Sequence, residues 1–343
     1  MKRSLRAASL FILVLAASCL IAQDRPATRF TESSAGGPLA ITVDIRAPFT
    51  FVAYGDLREA PPSNTTATDP VRRKAIIDAI AEVHPAFVEV GGDLVARGDD
   101  PADWQQWEKE TAVIRDRGIP IFPAIGNHEL YRDAAQGLAN YFKAFPFLKQ
   151  NRFYSVRAAN TITLVLDSAL DETSGTQGDW LQEQFRQLPP HVDFVFLVLH
   201  HPPYTRSSNS EHGGGHGPRP KEVALAHWLE AQQKSMRARI VVIAGHVHNY
   251  ERYSHGGVTY IVTGGGGATP YVIPREPGDA YRAPGPTYHY CLFKVLHQRL
   301  TMQMMRLDLV DGKALWNIGD SFALSVPPPT RQKKDKPAPR IAL

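Results

Sequence analysis

The apolar residues of this chain form short runs that alternate with stretches of helical periodicity. The run at 49–54 is apolar at almost every position, which is typical of a buried strand. The next stretch, 70–84, places apolar residues at intervals of three and four and therefore predicts a helix, with Asp69 as its N-cap. The same reasoning predicts further strands at 86–93, 119–129, 162–168, 193–201 and 239–248, and helices at 101–118 and 221–234. This alternation predicts an α/β fold built from βαβ units.

The pattern becomes strand-rich after Tyr250. Apolar runs at 257–265, 288–296 and 300–310 predict three more strands. Neither an internal repeat nor a break in composition divides the chain between 49 and 326. We therefore expect one domain over this range.

The two ends of the chain differ from this body. Residues 1–22 have a basic start and an apolar run shorter than the ~20 residues that span a bilayer, which predicts a signal peptide and a secreted or periplasmic protein. Cys19 leaves open a lipid anchor, and hence a lipoprotein, but we expect no membrane span in the mature chain. We expect residues 23–48 to form a flexible lead-in and 327–343 to be a disordered, basic, Pro-rich tail.

Composition and charge narrow the class of protein. The 343 residues are 43% hydrophobic and 21% charged, which excludes collagen-like, coiled-coil and wholly disordered proteins. Two cysteines are too few for a disulfide scaffold or a Cys-rich zinc module. The formal net charge of +4 arises at the ends, since 1–22 carry +3 and 327–343 carry +4. The body is mildly acidic, so we infer no nucleic-acid partner.

Polar side chains of metal-ligand type follow five of the predicted strands. They are Asp56, Asp93, Asn127 with His128, His200 with His201, and His246 with His248. Ligands bind beyond the carboxyl ends of strands in α/β sheets, so five such endings on one sheet edge would bring these groups together. Carboxylate, amide and imidazole donors without thiolate suit iron, manganese or zinc.

Taken in order, these motifs resemble a known enzyme superfamily. The strings are YGDLR, GGDLV, IGNHE, VLHHPPY and GHVHNYER, with LDS at 166–168. They resemble the calcineurin-like metallophosphoesterases over about residues 50–309, and most of all the purple acid phosphatase branch. The resemblance implies a four-layer αββα sandwich, in which helices flank two mixed β-sheets and two metal ions lie at one edge.

The resemblance also implies a role for each matching residue. Asp93 would bridge the two metals. The first metal site would consist of Asp56, Asp93 and His248, and the second metal site of Asp93, Asn127, His200 and His246. His200 is chosen over His201 because of its spacing to Pro202, and His201 remains a residue that faces substrate.

Two departures from the family pattern affect the first metal site. Arg58 stands where most relatives have a metal-binding histidine, and Ala96 stands where purple acid phosphatases have a tyrosine ligand. Water, Asp99 or Asp100 would then supply the missing ligand, or that metal binds weakly. Without the tyrosine we predict a protein that is not purple even with iron. Arg58 is either a bidentate phosphate ligand or a surface arginine.

The implied reaction is hydrolysis of small phosphate esters. Hydroxide made available by the two divalent or trivalent ions would attack phosphorus in line. His128 would lie beside the phosphate, and a histidine of the 207–220 loop would protonate the leaving oxygen, with His212 favoured over His216. We predict an exported phosphomonoesterase. The alternatives are a phosphodiesterase or nucleotidase with the same site, or a non-catalytic metal- or phosphate-binding module.

Overall fold

The computed structural model describes residues 27–34, 37–66, 68–208 and 216–327. The strands are β1 (Phe30–Ser33), β2 (Ala40–Val43), β3 (Phe49–Tyr54), β4 (Val88–Val90), β5 (Ile121–Pro123), β6 (Tyr154–Ala158), β7 (Thr161–Val165), β8 (Phe194–Leu199), β9 (Arg239–Ala244), β10 (Tyr250–His255), β11 (Val258–Thr263), β12 (Tyr288–Leu296), β13 (Arg299–Val310) and β14 (Lys313–Ser325). The helices are α1 (Pro70–Val83), α2 (Pro101–Arg115), α3 (Ala134–Ala144), α4 (Gly175–Arg186) and α5 (Pro220–Gln233), and a 3₁₀ turn covers Pro146–Leu148. The predicted signal peptide with Cys19 and all but the first residue of the predicted tail lie outside the described residues.

The strands form two mixed sheets. The first sheet has the order β1-β2-β6-β7-β8-β9-β11-β10, and its central strands β7, β8, β9 and β11 are parallel. The second sheet has the order β14-β13-β12-β3-β4-β5, in which β3, β4 and β5 are parallel and the others antiparallel. Each sheet thus contains a parallel block whose carboxyl ends lie at one edge.

Alternating side chains bury both faces of the first sheet. In β8, Phe194, Phe196 and Val198 belong to the core shared with the second sheet, and the intervening residues pack with α4 and α5. Phe196 meets Phe51 of β3 edge to face, with ring centroids 5.0 Å apart. Helices α1, α2 and α3 lie on the second sheet's side of this core. The predicted four-layer αββα sandwich is confirmed.

The ends of α1 follow from local chemistry. The Asp69 carboxylate accepts hydrogen bonds from the backbone N–H groups of Val71 and Arg72, which satisfies two donors that have no partner inside the helix. His84 ends the helix in the left-handed region, with φ of 49°. Helix α2 ends at Arg115, before the predicted end at Gly118.

The structure corrects the predicted flexible lead-in over 23–48. Residues 30–33 and 40–43 form β1 and β2, and β2 pairs in parallel with β6. Ile41 and Val43 are buried on one face of β2, as is Leu39 just before the strand. The polar, turn-rich residues around them obscure this alternation in the sequence. Strand β14 was also not predicted; most of its residues stay exposed or half-buried, so it lacks a strong apolar pattern. Among the described residues, none of the helices is long and apolar enough to cross a membrane.

Candidate metal centre

The predicted ligands come from both sheets. Asp56, Asp93 and Asn127 follow β3, β4 and β5 of the second sheet, and His200 and His246 follow β8 and β9 of the first. The prediction of five endings on one sheet edge is therefore wrong in detail, because the endings lie at the adjacent edges of two packed sheets. Packing of the two sheets brings the two sets of side chains together.

The donor atoms of the second metal site lie at distances that suit a shared cation. Nε2 of His200 is 2.8 Å from Oδ1 of Asn127 and 3.3 Å from Oδ1 of Asp93. Nδ1 of His246 is 3.0 Å from the same Asn127 oxygen and 3.2 Å from Nε2 of His200. Donors bonded at right angles to one ion at about 2.1 Å are separated by about 3 Å. These four residues fit a single metal ion.

A hydrogen bond outside this cluster fixes the lone pair of His200 that points into it. Nδ1 of His200 donates to the carbonyl of Gly91 at 2.8 Å, so its Nε2 carries the lone pair that faces Asp93 and Asn127. Burial lowers the pKa of His200 and of His246, which favours neutral imidazoles. Burial alone would raise the pKa of Asp93, but the charge of Arg58 and the hydrogen bond from the His128 N–H hold it well below its ordinary value. Several lone pairs therefore converge on one point, and a cation there would stabilise them.

The first metal site contains two buried polar atoms that lack a hydrogen-bond partner among the described residues. Oδ1 of Asp56 and Nε2 of His248 lie 3.6 Å apart, and neither has a hydrogen-bond partner among the described residues. Nδ1 of His248 donates to the carbonyl of Thr269, which leaves Nε2 as the lone-pair nitrogen. Burial, and then the charge of Asp93, raises the pKa of Asp56 well above its ordinary value. A metal ion bound by these two atoms would give both of them a partner and would favour the charged form of Asp56. The residues of the first metal site therefore fit a metal ion.

Arg58 points into the centre. Its Nη2 lies 3.2 Å, and its Nε 3.3 Å, from Oδ2 of Asp93, and its side chain is only 14% exposed. The reading of Arg58 as a surface arginine is therefore wrong. Its guanidinium contacts the Asp93 oxygen opposite the one that faces His200. Arg58 thus adds positive charge on the side of the first metal site.

The other residues considered for the first metal site have different roles. Asp100 caps α2 by accepting from the Ala102 N–H, and Asp99 contacts Arg97. Neither joins the two clusters of potential metal ligands among the described residues. The carbonyl of Ala96 lies 2.5 Å from Nδ1 of His128 and accepts its proton.

Two histidines lie at the border of the centre. The N–H of His128 donates to Oδ1 of Asp93 at 2.9 Å, and its ring stacks on Tyr131. The ring of His216 is 4.7 Å from that of His246 and 6.1 Å from that of His248. His212, the histidine favoured by the sequence, lies outside the described residues.

Glu129 is a supporting residue of the centre that the sequence does not reveal. Its buried carboxylate accepts hydrogen bonds from the backbone N–H groups of Gly126, Asp93 and Leu94, at 2.7, 2.9 and 2.8 Å. It thereby holds the loops after β4 and β5 in register. Burial, followed by the charge of Asp93, raises the pKa of Glu129 to about 8. An acidic residue after GNH is the only signal in the sequence, and it does not reveal burial.

A glycine permits the close approach of the two sheets at the centre. A Cβ atom on Gly245 would lie 2.5 Å from Oδ2 of Asp56 and 2.7 Å from the carbonyl oxygen of Gly91. The N–H of the next residue, His246, donates to that Asp56 oxygen at 2.9 Å. Any larger residue at 245 would separate the two halves of the metal centre.

Sequence comparison places this site in a known family. The model for "Calcineurin-like phosphoesterase" matches residues 49–250. Purple acid phosphatase 5 of Arabidopsis thaliana is 26% identical over 222 residues, which cover 64% of this chain and 48% of that protein. A phosphoenolpyruvate phosphatase of Allium cepa is 27% identical over 193 residues, covering 52% of this chain and 37% of that protein. The chain thus spans half or less of the length of these curated relatives.

Solved structures share the fold. A purple acid phosphatase from yellow lupin (Lupinus luteus) seeds superimposes with a TM-score of 0.61 at 18% identity, over 84% of this chain and 56% of that one. GAP50, the anchor in the inner membrane complex of Plasmodium, has a TM-score of 0.57 at 14% identity, over 82% of this chain and 90% of that one. PhoD also has a TM-score of 0.57, at 11% identity, over 84% of this chain and 73% of that one. At these identities the likeness supports the fold alone.

Proposed function

Because the chain belongs to the calcineurin-like phosphoesterase family, we propose that it is a metal-dependent hydrolase of phosphoric esters, with small phosphomonoesters as its substrates. The observation that carries this proposal is the convergence of lone pairs from both sheets at Asn127 Oδ1, His200 Nε2 and Asp93 Oδ1. At the first metal site, Oδ1 of Asp56 and Nε2 of His248 lack a hydrogen-bond partner among the described residues, whereas a purely structural cluster would pair each buried acceptor with a donor.

Two metal ions would be held by the residues already described. Asp56, Asp93 and His248 would hold one, and Asp93, Asn127, His200 and His246 the other. Oxygen and imidazole donors without sulfur suit iron, manganese or zinc. When bound, such ions supply Lewis acidity and lower the pKa of water toward ~7, so that hydroxide is available to attack phosphorus in line.

The surrounding residues bind and orient the ester. Arg58 directs the N–H groups that its contact with Asp93 leaves free toward a phosphoryl oxygen. His128 is fixed by its hydrogen bonds to Asp93 and Ala96, so its Nε2 edge is left for the same phosphoryl group. His216, beside His246, or His212 of the same loop protonates the leaving oxygen.

We also propose that the protein is exported. The basic start and short apolar run of residues 1–22 support a signal peptide, with a lipid anchor at Cys19 as the alternative outcome. Mass spectrometry of the mature protein from its native host tests this proposal. An N-terminus near residue 23 supports export, whereas a retained Met1 contradicts it.

Turnover of two aryl esters tests the proposed activity. The protein is stripped of metal, reloaded separately with iron, manganese or zinc, and assayed with an aryl monophosphate and its bis-aryl diester. We expect faster turnover of the monoester, and we expect this activity to be lost on chelation and restored by metal. Preference for the diester would favour a phosphodiesterase, and one tightly held ion without turnover would favour a binding module.

A further inference from the structure

We propose that His201 binds substrate, and that its Nε2–H donates a hydrogen bond to a phosphoryl oxygen in a tautomer selected by Ser168. The inference deepens the proposed function and rests on it for the identity of the ligand, an oxyanion of phosphorus. His201 follows the second-site ligand His200 directly, and Ser168 belongs to the LDS string after β7.

The position of His201 suits contact with a ligand of the metal centre. Its ring centroid is 4.3 Å from that of His246 and 4.9 Å from that of His200. His200 is fully buried, whereas His201 is partly exposed. His201 therefore lies beside the second metal site without being fully enclosed in the core.

Hydrogen bonding to Ser168 selects the tautomer of His201. Oγ of Ser168 accepts the backbone N–H of His201 at 3.2 Å and lies 2.8 Å from Nδ1 of the same residue. Among the described residues, Nδ1 is the acceptor within reach of the Ser168 hydroxyl proton. The hydroxyl therefore donates to Nδ1, and the ring proton resides on Nε2.

The opposite tautomer would make His201 a metal ligand. The potential ligand nitrogens of His200, His201 and His246 do lie within 4.8 Å of one another. That role requires a lone pair on Nε2, so Nδ1–H would donate to Ser168 and leave the buried hydroxyl proton without an acceptor. An unmade buried hydrogen bond costs roughly 1–3 kcal/mol, which favours the donor tautomer.

Ser168 is itself held in place. Its side chain is buried, and its carbonyl accepts hydrogen bonds from Nη2 of Arg219 and Nζ of Lys221, both at 2.6 Å. The preceding Asp167 binds Nε of Arg152 at 2.5 Å. These contacts hold the Ser168 hydroxyl, and hence the His201 ring, in position before substrate arrives.

Binding of inorganic phosphate to the zinc-loaded protein tests the proposal without turnover. His201→Leu removes the donor and should weaken phosphate binding, measured by calorimetry, about tenfold or more. His201→Gln keeps an N–H near the Nε2 position and should bind more tightly than His201→Leu. His227→Leu, at an exposed position of α5, is the matched control. Zinc stoichiometry should be equal in all four proteins.

A second variant tests the role of Ser168. Ser168→Ala should weaken phosphate binding several-fold and move the imidazole ¹⁵N resonances of zinc-loaded His201 away from the Nε2-protonated pattern of the wild type. Loss of zinc from His201→Leu would make His201 a ligand and overturn the proposal, as would unchanged phosphate affinity or an Nδ1-protonated wild-type ring. Phosphate binding that depends on His201 without ester turnover would instead contradict only the proposed function.

Discussion

Nε2 of His200 and Oδ1 of Asn127 lie 2.8 Å apart and join the loop after β8 of the first sheet to the loop after β5 of the second. Nδ1 of His200 is already committed as a donor to Gly91, so both atoms of this contact present lone pairs. A cation bound by both atoms would stabilise the pair. Packing of the two sheets therefore places ligands from both sheets around one metal site.

Removal of one of these lone pairs should empty the second metal site. We expect His200→Ala to lower metal affinity and ester turnover by more than about 100-fold, because loss even of a residue that only orients a ligand costs about 10–100-fold. Metal analysis after dialysis measures the first effect and initial rates the second. His227→Ala should behave as wild type, and full metal content in His200→Ala would contradict the assignment.

Arg58 should lower the affinity of the first metal site for its ion. Its guanidinium adds positive charge at Asp93 Oδ2, and Arg58→His would replace that charge with a neutral nitrogen donor. We expect this variant to retain a metal content closer to two ions per chain than wild type after the same dialysis. Arg46→His, at an exposed position, is the matched control. Equal retention by wild type and Arg58→His would show that Arg58 does not limit binding.

The iron-loaded protein should not be purple, unlike the purple acid phosphatases. The position of their tyrosine ligand is Ala96, whose carbonyl accepts the proton of His128. No phenolate then reaches the ion from this position, so no phenolate-to-iron charge transfer arises there. The visible spectrum of the ferric protein measures this directly. A strong band in the wild type would mean that a different tyrosine is a ligand.

The free energy of unfolding should fall as the pH rises, because the carboxyl group of Glu89 is buried. This buried carboxyl of β4 accepts from the Thr163 hydroxyl of the opposite sheet, and burial raises its pKa to about 8. The folded state therefore binds a proton that the unfolded state releases between about pH 4.5 and 8, and the free energy of unfolding falls by about 1.4 kcal/mol per pH unit in this window.

Glu89→Gln should remove this dependence. The amide stays neutral and can still accept from Thr163, so the variant should melt several degrees above wild type at pH 8.5 and close to it at pH 5. Thermal melts at both pH values measure the difference. Glu108→Gln, at an exposed position of α2, should show no such trend. A pH-independent difference between Glu89→Gln and wild type would exclude proton uptake at this residue.

The layers of the fold and the candidate metal ligands could be predicted from the sequence. The residues that support those ligands could not. Strand–helix alternation predicts the parallel blocks, and motifs such as YGDLR predict the polar strand ends. Both features can be predicted because they are encoded by residues close together in the sequence. The burial of Glu129 and the contact of Arg58 with Asp93 depend on residues 35 or more positions away. Strands β1 and β2 were missed because four-residue strands in a polar segment carry little periodicity.

Anomalous diffraction from crystals of the zinc-loaded protein, recorded at the zinc edge, tests the metal centre most directly. We expect two zinc peaks that share Asp93, one beside Asp56 and His248 and the other beside Asn127, His200 and His246. A map with no zinc peak among these six residues, or with zinc only elsewhere, would contradict this expectation.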